Sequence, residues 1–166
     1  MVKRVIVQNV QPPTGTAVLN AADPMVARMA DTCPGKVIFF AFDRNHPVMA
    51  MHRAQGKRVI YLDGDSLVAL EGSFEHRVPL ADIPVTAGGA IGFQIENAMA
   101  ALGAGWALGL PWAVIQAGLA GFVNDEQTAP GRFNVFNYRG ATLIADYGHN
   151  PAAIQALGDA TDRMPS

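Results

Sequence analysis

The sequence predicts an α/β fold: a mixed sheet with helices and an antiparallel meander, followed by a small strand–strand–helix unit. Three observations lead there. Between residues 16 and 55, apolar strand-like runs alternate with helical stretches, the order of an open sheet with helices packed on it. Residues 58–80 then hold three short strand-like runs separated by Gly-Asp and Gly-Ser turns, the pattern of a meander. The stretch NDEQTAPG, 124–131, puts acid and amide groups in a row before a Pro-Gly turn, and it marks a linker between residues 1–123 and 132–166.

Each element has a local cause. Val2, Val5, Ile6 and Val10 recur at helical spacing, so residues 2–10 read as a short helix that Pro12, Pro13 and Gly15 end. Thr16–Asn20 reads as a buried strand. Asp23 is placed to cap the next helix, with Pro24 as its first residue, and that helix is expected to run to about Asp31. Lys36–Phe42, KVIFFAF, is continuously apolar, as a parallel strand covered on both faces should be. A helix follows from Pro47 to Gln55. Arg58–Asp63, Ser66–Gly72 and Phe74–Leu80 are the meander strands. Phe93–Leu108 returns to helical spacing, with Ile95, Met99, Leu102 and Trp106 on one stripe and small residues that let another element approach. Pro111 is expected at the first position of a helix reaching Phe122. Beyond the linker lie strands Phe133–Tyr138 and Thr142–Ala145, the latter read as buried, and a helix from Pro151 to about Met164.

Composition sets bounds on function. With 166 residues, half of them hydrophobic, 16% charged and a net charge of -2, the chain has the makings of a packed core and lacks the basic surface of a nucleic-acid binder. Cys33 is alone, so neither an internal disulfide nor a cysteine zinc site is expected, and it reads as a buried or half-buried thiol. His46, His52 and His76 lack paired ligand spacing. The apolar stretch Ala98–Leu110 is interrupted by Gly103, Gly105 and Gly109 and is too short for a membrane span, and MVKRVIVQNV is too polar for a signal peptide. A cytoplasmic protein is expected, and exposed sheet edges leave a homo-oligomer open.

The stretch with the most chemistry is GATLIADYGHNP, 140–151. A carboxylate just past the C-terminal end of a strand sits where open α/β sheets bind ligands. Asp146 is placed to accept hydrogen bonds from a ribose, and His149 to stack on or hydrogen-bond a nucleotide. The competing reading makes Asp146 the cap of the following turn, Asn150 the cap of the Pro151 helix, and His149 an exposed side chain. Trp106 and Trp112 read as core.

Three runs carry a resemblance. GTAVLNAADP, GFQIENAMAALGAGWALGLP and TAPGRFNVFNYRGATLIADYGHNPAAIQAL, in that order, resemble the Mur ligase family: ATP-dependent enzymes that join an amino acid to a carboxylate through an acyl phosphate. The first two resemble the later part of its central ATP-binding domain, and the third the start of its Rossmann-like C-terminal domain. The wording is nearest to the members that build an aspartate–arginine polymer. The resemblance implies ATP and Mg2+ as cofactors and an amino-acid or peptide substrate. It assigns Asn97 to the adenine of ATP, Arg132 to an ATP contact from the domain junction and Asp146 to the ribose. Tyr147, His149 and Asn150 complete the nucleotide-facing loop. Lys3 falls where a carbamylated lysine helps hold magnesium. Each has a plain alternative: Asn97 as a helix cap, Arg132 as a surface arginine, Lys3 as a solvated lysine.

The chain also departs from the family. Asn20-Ala21-Ala22-Asp23-Pro24 stands where the family often has Asn-Ala-Asp-Asp-Pro, and no G-x-x-x-x-G-K-S/T phosphate loop occurs in these residues. No catalytic residue is therefore assigned, and the isolated chain is expected to be inactive alone. A peptidoglycan-precursor or folylpolyglutamate ligase, or a non-catalytic nucleotide-binding or oligomerisation remnant, are the other readings.

Overall fold

Alternation along KVIFFA decides how the layers stack. The computed structural model describes residues 3–164. In β2 (Lys36–Ala41), Ile38 and Phe40 point to one face and Phe39 and Ala41 to the other, and all four are buried. This strand is second in a five-stranded sheet with β1 (Thr16–Asn20), β3 (Val59–Asp63), β4 (Ser66–Glu71) and β5 (Phe74–Pro79), ordered β1-β2-β3-β4-β5. The first three strands are parallel and the last two pairings antiparallel, so meander and parallel strands share one sheet. Both meander turns are two-residue loops that open on a glycine, Gly64 (φ 61°) and Gly72 (φ 59°), in a conformation costly for other residues.

Helices cover both faces. On one side lie α1 (Arg4–Gln8), α2 (Pro24–Ala27) and α3 (Pro47–Ala54), whose Val7, Met29 from the turn after α2, and Met49 pack with Phe39, Tyr61 and Val68. Val2 lies outside the described residues. On the other side lies α4 (Gly92–Ala107), which sets Ile95, Met99, Leu102 and Trp106 against Ile38, Ile60 and Leu67, as the stripe predicts. Gly103 lets it come close: a Cβ there would stand 2.7 Å from Val18 Cγ1 and 3.1 Å from Ile60 Cδ1. α5 (Trp112–Gly121) packs on α4 through Ile115 and Leu119.

Several local expectations change. The helix opened by Pro24 turns to 3-10 geometry over Arg28–Thr32, although Asp23 caps its start through the Met25 and Val26 N–H groups. Pro111 keeps an extended ψ of 141° and stands just before α5 rather than as its first residue. Trp106 is buried, whereas Trp112 is half-buried and stacks on His76 at 4.2 Å. Cys33 is half-buried and unpaired by any disulfide.

The last elements are a hairpin, β6 (Asn134–Tyr138) and β7 (Ala141–Ala145), and α6 (Pro151–Thr161). Arg139 and Gly140, both at positive φ, form the tight turn whose twist suits a two-residue hairpin. Contrary to the buried strand expected at 142–145, β7 is largely exposed. A two-stranded ribbon has no second layer of its own, and only Ile144 is partly covered. Phe133 and Ala160 anchor this unit on Ile91 and Phe93 at the start of α4, with the Phe93 and Phe133 rings edge to face at 5.3 Å.

Candidate functional site

Between α4, α5 and the C-terminal unit lies a cavity of about 890 Å³, and Asn97, Arg132 and Asp146 all line it. These residues come from a helix, a turn and a strand end that are far apart in sequence. The wall is otherwise mainly apolar, from Ala98, Ala101 and Gly105 of α4, Ile115 and Leu119 of α5 and Leu157 of α6. An apolar pocket with a few convergent polar groups is the usual form of a small-molecule site.

Asn97 sits on the open side of α4, one turn after Gln94, and its Nδ2 donates to Gln94 Oε1 at 3.0 Å. Gln94 is buried and lines the same cavity. The side-chain carbonyl of Asn97 is left for a ligand. Sequence reading passed over Gln94; the signal was a second amide at i−3 on a mostly apolar helix.

Arg132 is presented by a turn held from three directions. The buried Asn134 accepts from the Gly131 N–H at 2.6 Å and donates to the Ala129 carbonyl at 3.1 Å, while the Asn124 amide donates to the Arg132 carbonyl at 2.6 Å. Tyr147 N–H donates to the Gly131 carbonyl at 2.8 Å. The residues before this turn are ordered by Asp125, which accepts from the Thr128 N–H, the Thr128 hydroxyl and the Gln127 N–H; these bonds hold its carboxyl below the usual carboxylate range. Asn124 and Asn134 are likewise roles that sequence reading missed, because each depends on a turn that closes only in three dimensions.

Asp146 takes the turn-capping role read for it and lines the cavity as well. Its Oδ1 accepts the Gly148 N–H at 2.6 Å, the turn-capping role, and its Oδ2 accepts the Phe133 N–H at 2.9 Å. A carboxylate has about four acceptor sites, so two remain for hydroxyl groups in the cavity.

The remaining candidates lie elsewhere. Tyr147 is exposed and is not in the cavity wall; the Arg132 guanidinium lies over its ring at 5.7 Å. His149 leans on the Tyr147 carbonyl at 3.1 Å, and with Asn150 it lines a separate groove along α6. The Asn150 side chain caps α6 by accepting the Ala153 N–H at 2.9 Å, the structural alternative read for it. Lys3 is exposed just before α1 and is not in the cavity wall. Among the described residues no three His, Cys, Asp or Glu side chains converge as an all-protein metal cage would require, and no helix is long and apolar enough to cross a membrane.

No protein-family model matches the chain. A cyanophycin synthetase of Synechocystis sp. is 43% identical over 160 residues, 95% of this chain, and a UDP-N-acetylmuramate–L-alanine ligase of Xylella fastidiosa is 32% identical over 149 residues, 86% of it. The chain is a homologue of segments of cyanophycin synthetases and of Mur ligases. The chain spans 18% of the length of that cyanophycin synthetase and 28% of the Xylella enzyme. Its fold is similar to part of a pseudomurein peptide ligase type C from Methanothermus fervidus, with a TM-score of 0.58 and 21% identity over 95% of this chain and 36% of the other.

Proposed function

We propose that these residues form the adenine-nucleotide face of an ATP-dependent amide ligase of the cyanophycin-synthetase type, which joins aspartate and arginine. One observation carries the reading: Asn97, Arg132 and Asp146, assigned to one nucleotide from three separate stretches of sequence, line one cavity. The 43% identity to a cyanophycin synthetase favours that substrate class over the peptidoglycan-type substrates of the relatives near 32%.

Bound ATP supplies the phosphoryl group that activates a carboxylate as an acyl phosphate for attack by an amine. The chain's own residues bind and orient. Asn97, held by Gln94, offers its carbonyl to the amino edge of adenine, and the small residues of α4 leave room for the flat ring. Asp146 offers its remaining lone pairs to the ribose hydroxyls. Arg132, resting on Tyr147, brings a positive charge to the phosphate side. His149 and Asn150 act by shaping the loop and starting α6. Lys3 would serve magnesium as a carbamate in the complete site, a part that rests on the resemblance alone.

A phosphate loop is not among these residues, and transfer of a phosphoryl group depends on such positioning. The 166-residue chain is therefore expected to bind ATP without turning it over, in a cytoplasmic setting. Calorimetry with ATP tests the binding. Asn97→Ala and Asp146→Ala should each weaken it about tenfold, the size of one lost polar contact. A wild-type chain that gives no heat refutes the nucleotide reading. ATP-dependent arginine incorporation by the purified chain at the rate of an intact ligase would refute the expected inactivity.

A further inference from the structure

We infer that Asn20, through Glu96, is a positioning residue for the nucleotide cavity: the hydrogen bond between them sets the rotation of α4 that turns Asn97 into the cavity wall. The inference rests on the proposed nucleotide reading for what the cavity holds, but the bridge itself is a feature of the fold.

The helix needs such a device. GFQIENAMAALGAGWA is apolar or small nearly all the way round, and Glu96 is its single charged residue. The large side chains Ile95, Met99, Leu102 and Trp106 choose the face that meets the sheet, but the small and apolar residues on either side of that stripe leave the finer rotation loosely set, and a lone polar pair is a known means of fixing register. Ile91, just before the helix, makes no side-chain cap bond.

Two points tie α4 to β1. At Gly103 the helix lies so close to Val18 that no Cβ fits, which sets the distance but leaves the helix free to pivot. Seven residues earlier, on the same face and about 10 Å along the axis, Glu96 Oε1 accepts from Asn20 Nδ2 at 3.1 Å. Val18 and Asn20 are two residues apart and share a face of the strand. Asn20 is itself held, because its Oδ1 accepts the Ala22 N–H at 2.9 Å. Both ends of its amide are used, donor toward the helix and acceptor toward its own turn. The partner at position 22 is a backbone group, so alanine serves there, which gives the Asn20-Ala21-Ala22-Asp23-Pro24 run a physical meaning. Asn20 aims α4 and Asp23 caps α2. Asn97 follows Glu96 directly, and any rotation of this turn carries its side chain along the cavity wall.

Asn20→Asp is the informative change. It keeps the acceptor for the Ala22 N–H and replaces the donor by an oxygen facing a carboxylate. Adding Glu96→Gln to it restores a donor–acceptor pair with the polarity reversed. Glu96→Ala serves as a second way of removing the bridge, at a helix position where alanine is well tolerated. ATP affinity by calorimetry is expected to fall about tenfold in Asn20→Asp and in Glu96→Ala, and to recover to within about threefold in the double variant. The Asn97 side-chain amide signals in 15N-correlated spectra of the unliganded chain give a readout that needs no nucleotide. They are expected to shift in both bridge-breaking variants and to return in the double variant. Unmoved Asn97 signals in folded Asn20→Asp and Glu96→Ala overturn the inference, as does a double variant that stays as weak as Asn20→Asp. A wild-type chain that binds no ATP, with Asn97 signals that move and recover as stated, overturns the nucleotide reading and supports the positioning role.

Discussion

Replacing Gly103 with alanine sets two calculable effects against each other. Glycine inside a helix costs about 1 kcal/mol relative to alanine, so the substitution gains that much in propensity. Against it stands the new Cβ, 2.7 Å from Val18 Cγ1 and 3.1 Å from Ile60 Cδ1. Val18 is stiff at χ1, so its Cγ1 yields only at a cost, and Ile60 is fully buried with little room for its Cδ1 to turn. Overpacking of this kind costs about 2–3 kcal/mol. The net loss is about 1–2 kcal/mol, which in a chain of this length lowers Tm by about 3–6 °C. Thermal melts followed by circular dichroism measure it. Gly118→Ala on α5 is the comparison, because a Cβ there meets nothing within 4 Å and the same substitution should raise stability by up to about 1 kcal/mol. Combining Gly103→Ala with Val18→Ala should cost less than the sum of the two single changes, since the second makes room for the first. A Gly103→Ala protein that melts at or above the wild type refutes the close approach of α4 to β1.

Other expectations follow from single side chains. Asn134→Ala removes two of the bonds that shape the Arg132 turn and should cost about 2 kcal/mol locally; exchange of the Gly131 amide, read by hydrogen–deuterium exchange, should quicken about thirtyfold, and unchanged exchange would count against the turn. Asp23→Ala removes the acceptor for two N–H groups at the start of α2 and should lower stability by about 1 kcal/mol in a denaturant titration. Burial pushes the His52 pKa below 6.5, with the Val37 carbonyl opposing and Lys57 adding to the effect. The unfolded chain therefore binds the proton first, and His52 contributes a loss of stability as pH falls from about 6.5 to its folded pKa. The difference between wild-type and His52→Gln melts, taken across that range, should carry this slope; parallel curves would refute the assignment.

The sheet was legible because its strands are bounded by residues with unambiguous local effects. Pro34-Gly35 and Asp43 frame β2, Gly64 and Gly72 frame the meander turns, and Asp23-Pro24 opens α2. Misreadings arose where tertiary context decides. The apolar letters of β7 suggested burial, but a two-stranded ribbon has nothing of its own to cover it. Pro111 satisfies the sequence signal for a first helical residue, yet its backbone stays extended as the chain leaves α4. In the site, Asp146 was legible from its place just past a strand, whereas Asn97 and Arg132 were found through resemblance, because no spacing in one sequence reports that three distant segments meet. Gln94, Asn124 and Asn134 act only through partners brought to them by folding, and an isolated amide in a string of letters does not announce its partner.

The order β1-β2-β3-β4-β5 has a kinetic corollary. Each strand lies beside the one that precedes it along the polymer, so the sheet can grow outward from any hairpin or crossover by short loop closures, with little entropy lost per addition. Within the main body, the docking of α4 joins distant regions, since it must return to Val18 and Asn20 after the whole meander has been laid down. Assembly of the main body then ends on the same helix that carries Asn97, and the cavity takes shape as the last long-range contacts close.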